Sequence, residues 1–161
     1  MPSDIEIVPA TAEHSAVILD MIRGLASYEK LEHAVVATEA QLVQTLFGPK
    51  PAAEVLLASW QGEWVGFALF FSNYSTFLAR PGIYLEDLFV KPHARGKGIG
   101  AALLGEIAKM AVDRGCGRVE WAVLDWNEPS IAFYKKLGAV PMDEWTVFRL
   151  TGDALQRAGR R

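Results

Sequence analysis

Residues 88–101 read Leu-Phe-Val-Lys-Pro-His-Ala-Arg-Gly-Lys-Gly-Ile-Gly-Ala. An apolar strand runs into a basic, glycine-rich turn, and the turn runs into a helix. Glycine opens backbone conformations closed to other residues and lets a ligand approach closely. Successive N–H groups of such a turn can point into one concavity. The following helix adds its unpaired donors and the positive end of its dipole. Arg95 and Lys97 carry full positive charge within this turn. The pattern Arg95, Gly96, Lys97, Gly98, Ile99, Gly100 and Ala101 therefore suits a pyrophosphate, and the chain is expected to bind a nucleotide-bearing ligand.

Two familiar phosphate loops fit less well. A Walker loop requires Gly-Lys-Ser/Thr, and Gly96-Lys97 is followed by Gly98. The dinucleotide fingerprint is matched by Gly96, Gly98 and Ala101, with Glu120 near the position of a ribose-binding acid. Its first glycine should follow the strand directly, but Lys91-Pro92-His93-Ala94-Arg95 intervenes.

A second segment narrows the choice. Trp126-Asn127-Glu128-Pro129-Ser130-Ile131-Ala132-Phe133-Tyr134-Lys135-Lys136-Leu137-Gly138 carries a helix start at Asn127 and a stop at Gly138. Asn127, Ser130 and Tyr134 fall on one helix face. With the glycine turn, this segment resembles the GNAT superfamily of acetyl-CoA-dependent N-acetyltransferases. Tyr84-Leu85-Glu86-Asp87-Leu88-Phe89-Val90 and the Trp126–Tyr134 run resemble its spermidine/spermine (diamine) and thialysine acetyltransferase branch. The likeness extends from Ile7-Val8-Pro9-Ala10-Thr11 to Trp145-Thr146-Val147-Phe148-Arg149.

At 161 residues, 51% of them hydrophobic, the chain is expected to form one domain over 1–161. A net charge of −3 argues against a general nucleic-acid binder. The lone Cys116 excludes an internal disulfide framework. There is no apolar run of membrane-span length and no signal-peptide pattern, so a cytoplasmic protein without a membrane role is the expectation. His14, His33 and His93 lack metal-ligand spacing, and no metal is expected.

Hydrophobic periodicity predicts strands over Ile5–Pro9, Val55–Trp60, Trp64–Phe71, Ile83–Val90, Arg118–Leu124 and Trp145–Leu150. Helices are expected from His14 to Glu29, after the capping box Thr38…Gln41, from Ile99 to Arg114, and over Asn127–Leu137. The C-terminal Arg157–Arg161 reads as a frayed basic tail. The fold class is α/β (mixed α+β) in the order βααβββαβαβ, a mixed sheet covered by helices. The resemblance implies the GNAT fold, with a sheet splayed open beside the glycine-turn strand where CoA enters.

Glu86 and Asp87 interrupt an apolar strand, and alternation puts them on opposite faces. Each is open to a structural ion pair. Alternatively, Glu86 takes a proton from an attacking amine, with burial raising its pKa into the useful range. Tyr134 is either a core aromatic or, as the resemblance implies, the general acid that protonates the departing CoA sulfur. Asn127 and Ser130 are helix-capping residues or cofactor contacts. Leu88, Phe89 and Val90 form ordinary core strand, or their backbone holds the pantetheine amides like an added strand.

The resemblance also implies a substrate site lined by Tyr28, Glu29, Glu86, Asp87 and Glu144, the last within an acidic-aromatic Asp143-Glu144-Trp145 run. It implies a small-molecule amine as partner, acetyl-CoA as cosubstrate, and a homodimer that could use Trp145, Val147 and Phe148. The polyamine enzymes carry an acid where this chain has Ser75-Thr76, and an arginine where it has Leu137. Protein-lysine or N-terminal acetylation, or a weakly active CoA-binding module, are the alternatives.

Overall fold

The computed structural model describes residues 4–160. Contacts divide the chain into two compact units, Met1–Ala122 and Val123–Arg161.

The first unit is a five-stranded sheet with helices on both faces. Strand β1 (Ile5–Pro9) leads to α1 (Ser15–Tyr28) and α2 (Glu39–Leu46). Then follow β2 (Glu54–Trp60), β3 (Glu63–Ser75), β4 (Arg80–Val90), α3 (Ile99–Asp113) and β5 (Val119–Trp121). The sheet order is β1-β2-β3-β4-β5. Its first three pairings are antiparallel and β4–β5 is parallel. The expected mixed sheet is present.

Local chemistry explains the corners. Gln61 and Gly62 both have positive φ, 51° and 80°, as a two-residue hairpin turn demands. Thr38 caps α2 reciprocally with Gln41: Gln41 N–H donates to Thr38 Oγ1 at 3.2 Å, and Thr38 N–H donates to Gln41 Oε1 at 2.9 Å. At the hairpin between β3 and β4, Leu78 N–H donates to the buried Ser75 Oγ at 3.2 Å.

Ile18, Leu19 and Met21 of α1 and Leu42 and Leu46 of α2 bury against Val55, Leu57, Phe67 and Phe89 of the sheet. Ile99, Leu103 and Ile107 of α3 are buried as well. Gly66 permits the close approach of α3: a Cβ there would meet Phe89 O at 3.0 Å and Leu103 Cδ1 at 3.4 Å. Arg114, just past α3, forks onto Glu54 at the head of β2 with two bonds of 2.8 Å.

The second unit contains α4 (Glu128–Lys136) and α5 (Gly152–Ala158). Asn127 caps α4 by accepting from Ser130 N–H at 3.4 Å. Three expectations fail. The strand over Arg118–Leu124 shortens to Val119–Trp121. Trp145–Leu150 is not a strand, and its residues are all exposed. Residues expected to fray instead close α5, although Arg161 lies outside the described residues. The order is therefore βααβββαβαα. Trp145–Leu150 has the side chains of a strand, but among the described residues it pairs in no ladder.

Candidate active site

Strand β4 organises the first unit's polar groups. Its register against β3 runs Leu69↔Asp87 and then Phe70↔Leu85, so Glu86 has no partner and forms a bulge. Leu85 is buried opposite Phe70, whereas Asp87 lies opposite Leu69 on the face covered by α1 and α2. The bulge breaks the expected alternation. It brings Glu86 and Asp87 close enough for the charge of Glu86 to act on Asp87.

Burial and charge then separate the two acids. Glu86 is exposed. The desolvated carboxylate expected at Glu86 is instead Asp87, which burial, then Glu86, then Glu29 push up to about 7. Glu29, capping the C-terminal end of α1, is raised by burial. The Tyr84 phenol is also raised, by burial and then by Glu86 and Glu120. No ion pair among the described residues uses Asp87. Glu86 and Glu29 thus both lie near enough for their charges to act on Asp87.

Tyr28 adjoins this cluster as the last residue of α1. The Arg95 guanidinium sits 4.9 Å from the Tyr28 ring centre and 5.7 Å from that of Phe89. Its Nε–H donates to Val90 O at 2.9 Å. Lys97 Nζ lies 4.5 Å from the centre of the Trp60 ring. Both cations thus lie against aromatic faces.

The glycine turn provides backbone. Gly96 and Gly98 have φ of 79° and 82°, and a Cβ at either would meet nothing within 4 Å. Their identity is set by backbone conformation and open space, not by packing. Gly98 is the N-cap of α3, whose first turn begins Ile99-Gly100-Ala101. An open hollow of about 600 Å³ is lined by Lys97, Gly98, Ala101, Ala102, Gly105 and others.

Beside the turn, the sheet opens. Strand β5 pairs with β4 only over Ile83↔Val119, Tyr84↔Glu120 and Leu85↔Trp121. Beyond Leu85, no assigned strand among the described residues pairs with the β4 edge away from β3. Leu88, Phe89 and Val90 remain paired to β3 on their other side. The opening therefore starts at the bulge, one residue from Asp87.

Other expected site residues are carried by other segments of the chain. Asn127, Ser130 and Tyr134 belong to the second unit, with Asn127 buried and the Phe133 and Tyr134 ring centres 5.6 Å apart. Glu144 is exposed in the irregular segment before Leu150. Ser75 stands at the far tip of the β3–β4 hairpin, paired with Arg80. Asp87 lies seven residue steps along β4 from that rung, roughly 23 Å of extended chain. The Ser75-Thr76 loop therefore does not border the acidic cluster, and its missing acid says nothing about acceptor length. Sequence reading also missed Tyr84, whose position beside two carboxylates becomes visible only with the register.

Among the described residues no cluster of three or more His, Cys, Asp or Glu could hold a metal ion, and no helix is long and apolar enough to cross a membrane.

Comparison with known proteins agrees with this geometry. The model of the acetyltransferase (GNAT) family matches residues 22–139. The chain is 36% identical to L-ornithine N5-acetyltransferase NATA1 of Arabidopsis thaliana, across 91% of this chain and 84% of that protein. It is 41% identical to the thialysine N-epsilon-acetyltransferase of Bos taurus, across 86% of this chain and 88% of that protein. Among solved structures, the integron cassette protein VCH_CASS6 from the mobile metagenome of V. cholerae superposes with a TM-score of 0.84 at 26% identity, covering 99% of this chain and all of that one.

Proposed function

The chain belongs to the acetyltransferase (GNAT) family, and from that premise we propose that it moves the acetyl group of acetyl-CoA to a primary amine of a small molecule. The acceptor class is a diamine, a polyamine or an aminoalkyl amino acid. The observation that carries this reading is the acidic cluster of Glu29, Glu86 and Asp87 beside the opening of the sheet, with Asp87 held near neutrality. Such a cluster attracts a protonated amine and gives its proton a destination. The relatives named for ornithine and thialysine acetylation support the same class.

The fit to acetyl-CoA rests on two features. Gly96 and Gly98 leave open space at positive φ beside the N-terminus of α3, a shape for a pyrophosphate. The unpaired β4 edge offers Leu88, Phe89 and Val90 backbone groups to an extended chain of amides. Bound acetyl-CoA supplies a thioester whose sulfur departs as a thiolate.

The chain's residues do the rest. Glu29 and Glu86 hold the incoming ammonium, and Asp87 accepts its proton. The freed lone pair attacks the acetyl carbonyl, the carbon–sulfur bond breaks, and the electron pair goes to sulfur. The Tyr134 hydroxyl donates a proton to that sulfur, with Asn127 and Ser130 as cofactor contacts on the same helix. Relative to the sequence reading, the proton-accepting role passes from Glu86 to Asp87, because Asp87 is the desolvated carboxylate. The enzyme works in the cytoplasm as a homodimer.

A CoA-release assay across ornithine, a short diamine, spermine and a lysine peptide tests this. Turnover of the small amines with Asp87-dependent rates is expected. Turnover confined to the peptide, or none with any amine, would overturn it.

A further inference from the structure

Three segments of the first unit meet on one guanidinium. Arg95 belongs to the glycine turn, yet its side chain runs back out of it. Its Nε–H donates to Val90 O at 2.9 Å, at the end of β4. Its charge lies 4.9 Å from the ring centre of Tyr28, the last residue of α1, and 5.7 Å from that of Phe89. Gly24 sits one helical turn before Tyr28, on the same face of α1. A Cβ at Gly24 would come within 2.8 Å of the Phe89 ring. A glycine inside a helix lowers its stability, and here it admits the ring that supports Arg95.

A guanidinium can serve two partners at once. Its charge faces an aromatic ring, while its N–H donors lie in its own plane and point outward. The Nε donor goes to Val90 O, and the Nη donors can take a phosphate while the group stays over Tyr28. Tyr28 is followed directly by Glu29, whose charge acts on Asp87. One side chain therefore joins the turn read as the cofactor site to the helix end read as the amine site.

Resting on the acetyl-transfer reading above, we propose that Arg95 is a positioning residue that couples the two halves of the site: by holding the Tyr28 ring it ties the phosphate turn to the end of α1, so that cofactor and amine each favour the binding of the other. The sign follows from the geometry. Arg95 is part of the turn, so a pyrophosphate that fixes the turn also fixes the guanidinium on Tyr28, and with it the helix end that carries Glu29. Such coupling is reciprocal.

Titration calorimetry on the full chain tests it, with CoA as the cofactor probe and ornithine as the amine probe, so that no acetyl group moves. Tyr28→Leu should weaken CoA by about 5-fold with no amine present, and Tyr28→Phe, which keeps a ring, should restore it. Arg95→Lys keeps the charge but loses the planar fork, and should weaken CoA by at least as much. The variant carrying both Arg95→Lys and Tyr28→Leu should be within about 2-fold of Arg95→Lys, because the two changes break one contact. Wild type should bind ornithine at least about 5-fold more tightly when saturated with CoA, and Arg95→Lys less than about 2-fold more tightly. Protected β2–β4 amides in hydrogen exchange confirm the fold of each variant. A wild-type CoA affinity in Tyr28→Leu, full additivity in the double variant, or equal ornithine affinity of wild type with and without CoA overturns the proposal. No ornithine binding in either state, with a CoA affinity that depends on Tyr28, sinks the amine reading and leaves the tie between turn and helix. Acetyl transfer at a CoA affinity indifferent to Tyr28 does the reverse.

Discussion

Replacing Asp87 by Asn should make the protein more stable and less active, by amounts that depend on pH. In an unfolded chain the carboxyl ionises near 3.8, and in the native state near 7. Well below pH 3.8 it is protonated in both states and contributes no difference. Between the two values unfolding releases a proton, so native stability falls as pH rises. The loss is complete once the pH passes the folded value. Three pKa units correspond to about 4 kcal/mol, since each unit is worth about 1.4 kcal/mol. Asn has the same shape without the charge and escapes this loss. The stability advantage of Asp87→Asn should grow from near zero at pH 4 to about 4 kcal/mol at pH 8, or roughly 10 °C in Tm for a domain of this size. Glu86→Gln should recover a smaller part, because burial outranks the Glu86 charge as the cause. Glu29 is raised in the same direction, so the variant keeps some residual slope.

Thermal melts of wild type and variant from pH 4 to pH 8 read the difference directly. The same variant should lose about 100-fold in kcat/KM, as for a missing proton acceptor. A cationic amine should raise the Tm of wild type more than that of the variant, because it neutralises a charge the variant lacks. A stability difference that is absent at pH 8, or constant with pH, would falsify the claim that Asp87 is held ionised at a cost.

Tyr134→Phe should lower kcat about 100-fold while leaving the acetyl-CoA Kd nearly unchanged, measured by single-turnover rates and by titration. Gly98→Asp should abolish the rise in Tm produced by acetyl-CoA, because it sets a side chain and a negative charge into a turn at φ 82°; stabilisation by NAD equal to that by acetyl-CoA would contradict the cofactor assignment. Glu54→Gln should cost roughly 0.5–1 kcal/mol at pH 7, since the clamp to Arg114 is solvent-screened. Arg114 holds the Glu54 carboxyl below its usual range, so this stabilisation is present above pH 4.5 and lost as pH falls through the lowered value; urea melts at pH 7 and pH 3 should show the cost shrinking.

Much of this molecule is legible from local chemistry. Thr38 and Gln41 announce a helix start, Gln61-Gly62 a tight hairpin, and Asn127 a cap, because each satisfies backbone groups within a few residues. The glycine turn is legible for the same reason: Gly96 and Gly98 are there for their own φ angles. What fails is whatever depends on a partner distant in sequence. Trp145–Leu150 has the composition of a strand, but composition does not make a ladder. The orientation of Arg95 depends on Tyr28, sixty-odd positions earlier, and on a carbonyl that only the turn brings within reach.

The decisive failure is the bulge. Period-two alternation puts Glu86 and Asp87 on opposite faces, and the functional reading takes Glu86 as the buried acid. Register decides otherwise, because pairing resumes with Leu69 opposite Asp87 after one residue is skipped. That skip has two effects. It turns Asp87 toward α1, where desolvation and the Glu29 charge act on it. It also marks the point past which β5 no longer follows β4, so an open strand edge begins beside the raised carboxyl. The raised carboxyl of Asp87 and the end of the β4–β5 pairing therefore lie beside one irregularity. A substitution that abolished the bulge should shift the register of Asp87 and the end of the β4–β5 pairing together.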